Sequence, residues 1–189
     1  MTRVAALYDV HGNLPALEAV LAEAAGVDLI VVGGDVVGGA FPAETIERLR
    51  AEGDRVRWLR GNAERELVEL PGLGHVLFCH ATPHNDLDMV TPLTPDERLR
   101  RILEGVRADV VVAGHTHVQE NRRVGAVRWV NAGSVGMPYE DGPGASWALL
   151  GPDVELRRTE YDTTRLGGYE YPQASRQEAA EYFESLIRD

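Results

Sequence analysis

The sequence has no lysine, a single cysteine and no long hydrophobic run, and each absence excludes a class of protein. All 19 Lys or Arg positions are arginine, which excludes chemistry through a lysine Schiff base. Cys79 is the only cysteine, so no intramolecular disulfide forms, as is typical of the cytoplasm. No apolar run reaches the roughly 18 residues of a membrane-spanning helix. A strand-like run starts at Arg3, so we expect no signal peptide and a cytoplasmic location.

Acidic residues also outnumber basic ones: the 19 arginines compare with 30 Asp and Glu residues, which gives a formal net charge of −11. This balance argues against a nucleic-acid polymer or an anionic membrane surface as the main partner. A small anionic substrate would be repelled too, unless a bound divalent cation reversed the charge locally.

The first half of the 189-residue chain alternates strand-like and helix-like segments, and the second half is rich in short strands joined by Gly and Pro turns. We therefore expect one α/β domain over residues 1–189, with two packed sheets and helices outside. A short helix is expected from Glu64 to about Leu70, and a terminal helix at about 175–187. The proline-bearing segment Ala81 to Pro95 is expected to form a loop over the site.

Side chains of metal-ligand type follow five successive predicted strands. Parallel strands place their carboxyl ends at one edge of a sheet, so we expect these side chains to converge. Two carboxylates, four imidazoles and one amide suit Mn²⁺, Fe²⁺, Ni²⁺ or Zn²⁺ better than Ca²⁺ or Mg²⁺. Seven ligands suit two ions that share one carboxylate, an arrangement well adapted to hydrolysis of phosphate esters. The candidate ligands are Asp9, His11, Asp35, Asn62, His80, His115 and His117.

These residues and their flanking glycines resemble the five-block signature of the calcineurin-like metallophosphoesterases. The blocks are Asp9-Val10-His11, Gly34-Asp35, Gly61-Asn62, His80 and Gly114-His115-Thr116-His117. A further stretch, Asn131-Ala132-Gly133-Ser134-Val135-Gly136, resembles a block of the small bacterial phosphodiesterase branch.

The resemblance implies an α/β/β/α sandwich, with two mixed β-sheets flanked by helices, and a centre of two divalent transition-metal ions, Mn²⁺ foremost. It implies one ion held by Asp9, His11 and His117. It implies a second ion held by Asn62, His80 and His115, with Asp35 bridging the two.

The activity implied is that of a phosphodiesterase in which a metal-bridging hydroxide attacks phosphorus, and Asn62, His80 and His115 help to place the ester. Two departures from other branches qualify this expectation. Residues 36–39 replace an Asp-Arg-Gly continuation, and Ala63 stands where those branches carry a histidine. We therefore expect a preference for diesters or for good leaving groups, with water or His84 protonating the leaving group.

Two other functions remain open at this stage. One branch of this fold resembles a scaffold subunit of a membrane-coat complex that has lost catalysis, although all seven ligand positions here carry competent residues. A nuclease would use similar chemistry, but the acidic balance speaks against it. A homo-oligomer is also open. Among individual residues, Asn13 is expected to cap a helix and Cys79 to fill the core.

Overall fold

The computed structural model describes residues 2–59 and 65–187. The strands, in chain order, are β1 (Val4–Leu7), β2 (Leu29–Val32), β3 (Val56–Trp58), β4 (Glu66–Leu70), β5 (Gly74–Phe78), β6 (Val110–Ala113), β7 (Glu120–Val124), β8 (Val127–Asn131), β9 (Ala145–Leu150) and β10 (Val154–Thr159). The helices are α1 (Leu14–Glu23), α2 (Pro42–Arg50), α3 (Asp96–Ile102) and α4 (Arg176–Leu186), with 3-10 turns at Gly53–Arg55 and Thr163–Leu166.

The strands form two mixed sheets of five. One sheet has the order β10-β9-β1-β2-β3, and the other has the order β4-β5-β6-β8-β7. β1, β2 and β3 run parallel in the first sheet, as do β5, β6 and β8 in the second. The outer pairs β9–β10, β4–β5 and β7–β8 are antiparallel. The parallel centres deliver the predicted ligand loops, while the antiparallel hairpins extend the sheets.

The core lies in three layers, which confirms the expected α/β/β/α sandwich. Between the sheets, Val4 and Ala6 of β1 pack in one cluster with Phe78 and Val112 of the second sheet. On the outer face of the first sheet, alternate β1 residues pack with α1, and Leu99 of α3 covers the second sheet. Because β1 is buried on both faces, its sequence Val-Ala-Ala-Leu is apolar throughout rather than alternating.

The expected short helix ending near Leu70 is wrong. Residues 66–70 form β4 instead, an antiparallel partner of β5 across the turn at Pro71 and Gly72. Exposure alternates along Glu66-Leu67-Val68-Glu69, as it does in a strand at the edge of a sheet. Pairing with β5 supplies backbone hydrogen bonds that five residues of helix could not provide for themselves.

The loop from Ala81 to Pro95 lies where it was predicted, without helix or strand. Cys79 is buried in the core, also as predicted, and burial raises the pKa of its thiol to about 12. None of the helices in the described ranges is long and apolar enough to cross a membrane.

Asn13 caps α1 and also ties the helix to the rest of the fold. Its side-chain oxygen accepts a hydrogen bond from the amide of Ala16 at 3.2 Å, which confirms the predicted cap. Its amide nitrogen donates to the carbonyl of Gly136 at 2.8 Å and lies 3.0 Å from the hydroxyl of Tyr161. All of Asn13 is buried, so water cannot replace these partners.

We predict that Asn13→Ala lowers the free energy of unfolding by about 2–3 kcal/mol. About 1 kcal/mol comes from the lost cap, and the remainder from the unpaired buried carbonyl of Gly136. Urea denaturation followed by circular dichroism measures the change. Asp162→Ala is the matched control, because Asp162 caps an exposed 3-10 turn through Thr164 and should cost less. Equal losses in the two variants would contradict the buried network.

Candidate metal centre

The predicted ligand loops share an unusual backbone conformation. Among the described residues, five that are not glycine have a positive φ, between 44° and 67°, and all five are predicted ligands. Such left-handed backbone is unfavourable for residues with a Cβ and persists only where surrounding contacts enforce it. The strained residues are Asp9, His11, Asp35, His115 and His117.

Backbone hydrogen bonds join the loops to one another. The amide of His11 donates to the carbonyl of Asp35 at 2.9 Å, and the amide of Gly12 donates to the carbonyl of Val36 at 2.9 Å. These bonds connect the loops that follow β1 and β2. In the second sheet, the amide of Gly114 donates to the carbonyl of His80 at 2.9 Å, connecting the loops after β5 and β6.

Asp9, His11 and His117 form a first group of donor atoms, all within 4.8 Å of one another. His117 Nε2 lies 3.6 Å from Asp9 Oδ1 and 3.3 Å from His11 Nε2. Asp9 Oδ2 accepts a hydrogen bond from the backbone amide of His115 at 2.8 Å. The other oxygen, Asp9 Oδ1, is buried without a hydrogen-bond partner. An unpartnered buried carboxylate oxygen facing two imidazole nitrogens fits a cation between them.

Asp9, Asp35 and His80 form a second group within the same distance limit. His80 Nε2 lies 3.9 Å from Asp35 Oδ2, and the ring of His115 lies 5.0 Å from that of His80. His115 Nε2 is also buried without a hydrogen-bond partner. The two groups meet at Asp9, so the donors form one continuous site rather than two separate ones.

The ring orientation of two histidines is fixed by backbone carbonyls. His117 Nδ1 donates to the carbonyl of Met137 at 2.8 Å, and His80 Nδ1 donates to that of Gly33 at 2.9 Å. Since a carbonyl can only accept, the Nδ1 atoms carry the protons and each neutral ring has its lone pair on Nε2. Both Nε2 atoms face the carboxylates, which is the arrangement typical of histidines that bind metals.

Electrostatics favour ligands that are ready for a cation. Burial lowers the pKa of His11 and of His115, and neighbouring imidazoles lower each pKa further. Burial opposes ionisation of Asp9, but the adjacent His117 outweighs it, and the pKa of Asp9 falls below its usual value. The opposite holds at His117, where Asp9 overcomes burial and raises the pKa. The lowered pKa values favour a neutral His11, a neutral His115 and an ionised Asp9, as metal binding requires, whereas the raised pKa of His117 means that a bound cation competes there with a proton.

Two glycines leave room for the ligands. A Cβ at Gly114 would overlap Asp9 Oδ2 and the ring of Tyr8, and a Cβ at Gly34 would overlap the ring of His80. The glycines that flank the histidines and Asp35 in the sequence blocks are therefore explained by close packing.

An open cavity of about 420 Å³ lies against the second group of donors. Asp35, His80 and His115 line it together with Leu59 and Asp86. His84, the predicted proton donor, is exposed in the loop from Ala81 to Pro95 that also carries Asp86, and it is not among the residues that line the cavity. Asn62, the remaining predicted ligand, lies outside the described residues.

Three contacts at the site involve residues to which the sequence assigned no definite role. Ser134 Oγ donates to the carbonyl of Asp9 at 2.7 Å, and Asn131 Nδ2 donates to the carbonyl of Gly114 at 2.8 Å. Tyr139 stacks on the ring of His117 with a centroid distance of 5.1 Å. Ser134 and Asn131 belong to the sequence block from Asn131 to Gly136, and the resemblance of that block to a family motif was the only indication in the sequence that they lie at the site.

Comparisons with known proteins agree with this geometry. The family profile described as a calcineurin-like phosphoesterase superfamily domain matches residues 2–153. The chain belongs to this superfamily. The resemblance drawn from the sequence blocks is thereby confirmed, and the chain is a hydrolase of the metal-dependent phosphoesterase class.

A curated relative supports the same family, and two solved structures share the fold. Phosphodiesterase YfcE of Escherichia coli K12 is 32% identical over 165 residues, which covers 77% of this chain and 85% of that protein. A metallophosphoesterase from Sphaerobacter thermophilus has a similar structure with a TM-score of 0.69 and 24% identity, covering 98% of this chain and 99% of the other. Protein PH1004 of Pyrococcus horikoshii gives a TM-score of 0.77 at 18% identity, covering 88% and 91%.

We predict that Gly114→Ala weakens Mn²⁺ binding at least about tenfold, because the added methyl displaces the Asp9 carboxylate. Isothermal titration calorimetry measures the affinity, and circular dichroism verifies the fold. Gly26→Ala is the matched control, since a Cβ there meets nothing within 4 Å. Unchanged affinity in Gly114→Ala would show that Asp9 is not held where ions bind.

Proposed function

We propose that the protein is a phosphodiesterase that uses two divalent metal ions. The observation that carries this proposal is the pair of donor groups meeting at Asp9, with unpartnered buried atoms at Asp9 Oδ1 and His115 Nε2. Under this proposal Asp9, His11 and His117 hold one ion, and His80, His115 and Asn62 hold the other.

Asp35 is proposed as the carboxylate shared by the two ions. The distances place Asp9 in both donor groups and Asp35 in the second. In favour of Asp35, its charge acts on histidines of both sites, raising the pKa of His117 and opposing the lowered pKa of His11 and His115. Its side chain is 55% exposed and lines the cavity, whereas Asp9 is fully buried with one oxygen bound to an amide.

Bound ions would supply an activated water as nucleophile and positive charge for the phosphoryl oxygens. The chain supplies the positioning. The imidazoles of His80 and His115 line the cavity, that of His80 held by the Gly33 carbonyl, and would direct the ester toward the donor groups. Mn²⁺ is the proposed ion, with Fe²⁺, Ni²⁺ and Zn²⁺ as alternatives, because the donors are mixed nitrogen and oxygen. A small phosphoester is the proposed substrate and the cytoplasm the proposed location.

We predict that chelation with EDTA abolishes hydrolysis of bis(p-nitrophenyl) phosphate and that added Mn²⁺ restores it. Asp35→Asn should lower kcat/KM by about 10² or more, since it removes a charge that organises both sites. Asp54→Asn, at an exposed position, controls for the loss of one carboxylate.

Two outcomes separate the proposal from its alternatives. Hydrolysis that persists without metal would exclude the metal-dependent reaction. A wild-type chain that binds two ions tightly but turns over no ester would favour the scaffold function instead.

The cavity favours diesters over monoesters. Asp86 lines the same cavity as Asp35, His80 and His115, so we propose that its carboxylate lies near the ester. A monoester carries one more negative charge than a diester near neutral pH, so it meets more repulsion from Asp86. Repulsion between two like unit charges about 4 Å apart in water amounts to about 1 kcal/mol, which would lower kcat/KM for the monoester roughly fivefold. His84 remains proposed as a proton donor, although it is exposed and does not line the cavity, whereas Asp86 does.

We predict that Asp86→Asn raises kcat/KM for p-nitrophenyl phosphate by about fivefold relative to that for bis(p-nitrophenyl) phosphate. Parallel kinetics on the two substrates measure the ratio, and Asp54→Asn should leave it unchanged. If Asp86→Asn slowed both substrates equally, a role in charge discrimination would be excluded.

A further inference from the structure

The C-terminal segment reaches back to the metal centre. Residues 154–187 follow the part of the chain matched by the family profile, and Tyr171 lies in this segment between the second 3-10 turn and α4. Its hydroxyl donates to the backbone carbonyl of His11 at 2.9 Å and accepts from the amide of Ala40 at 3.3 Å. One buried hydroxyl therefore joins the two loops that carry His11 and Asp35.

The fold makes space for this hydroxyl. Gly39 has a φ of +82°, and a Cβ there would overlap both the His11 carbonyl and the Tyr171 hydroxyl. Tyr171 is only 8% exposed. The contact is thus a packed, buried hydrogen bond rather than a loose surface contact.

The carbonyl that Tyr171 binds belongs to a strained residue. His11 has a φ of 47°, which a histidine adopts only when neighbouring contacts hold it. The imidazole of His11 lies 3.3 Å from that of His117, so a small rotation of the His11 backbone would displace one donor of the first group. Among the described residues, Tyr171 forms no hydrogen bond with a donor side chain of the second group, and its link to that group is the longer bond from the amide of Ala40, five residues after Asp35.

The segment that carries Tyr171 is anchored on both sides. Before it, Arg165 forms an ion pair with Glu18 of α1 at 2.6 Å. After it, Arg176 of α4 pairs with Glu140 at 3.1 Å, and Glu140 accepts from the amide of Gln119, two residues after His117. The anchors keep the phenol against the ligand loop.

We propose that Tyr171 is a positioning residue that sets the metal affinity of the Asp9, His11 and His117 group more strongly than that of the other group. The inference rests on the proposed two-metal function. Removing the hydroxyl leaves the ring in place but releases the His11 carbonyl. Loss of such a supporting partner lowers metal affinity by about tenfold to a hundredfold in comparable sites.

The test is calorimetric titration of the metal-free full chain with Mn²⁺. We expect wild type to bind two ions, and Tyr171→Phe to lose about tenfold or more in affinity for one of them while the affinity for the other falls much less. Tyr169→Phe is the matched control: its ring packs on that of Tyr171 at 4.8 Å, yet its side chain is 44% exposed. It should bind both ions as wild type does.

A double-mutant cycle identifies the route of the effect. If Tyr171 acts through His11, then Tyr171→Phe should weaken binding no further in a His11→Ala background. Additive losses, or equal weakening of both ions, would overturn the proposal and indicate a general loss of stability. So would Tyr171→Phe binding both ions as wild type does.

Failure of the proposed function gives a different result. Wild type that binds no ion, or one ion only, contradicts the two-metal centre itself. With one ion bound, the inference about Tyr171 survives only if Tyr171→Phe weakens that ion and the effect disappears in the His11→Ala background.

Discussion

The burial of one carboxylate, that of Asp9, is the constraint on which the structure depends. Its side chain is fully buried between the two sheets, where an unpaired charge would be costly. The chain provides partners from the opposite sheet: the amide of His115 binds Oδ2, and Ser134 and the amide of Gly136 bind the backbone carbonyl. One oxygen is left facing the imidazole of His117. Asp9, in the loop after the first strand, thus connects both sheets, and nearby positive charge stabilises its anionic form.

The strained loops follow from the same arrangement. The parallel strands of the two stacked sheets place the ligand loops at one edge of the sandwich. If the backbone of these loops stayed extended, the ligand side chains would not point toward one another. A left-handed residue turns the chain sharply, and the backbone bonds from His11 to Asp35 and from Gly114 to His80 hold the turns together. The strain is therefore distributed over several loops, each supported by its neighbours. The glycines beside the ligands serve the same end, since any side chain would occupy the space of a donor.

The sequence was most informative where a local pattern decides the structure. Buried strands such as β1 and β6 are continuous apolar runs, and the residues after them are placed by topology, so Asp9 and His117 could be predicted to meet. β4 was mispredicted because pairing with β5 outweighs the local helical tendency of residues 66–70. Asp86 could not be found either, because a loop without periodicity gives no direction to its side chains. Tyr171 depends on a contact between residues 160 positions apart, which no local pattern encodes.

That long separation has a consequence for how the protein matures. During synthesis the ribosome delivers His11 160 residues before Tyr171, and nascent domains fold from the amino end onward. The loops after the first two strands can assemble well before the phenol arrives to fasten them. Tight loading of the Asp9, His11 and His117 group would then wait until residue 171 has been added, and a chain interrupted before that residue would be selectively deficient in one of the two proposed ions.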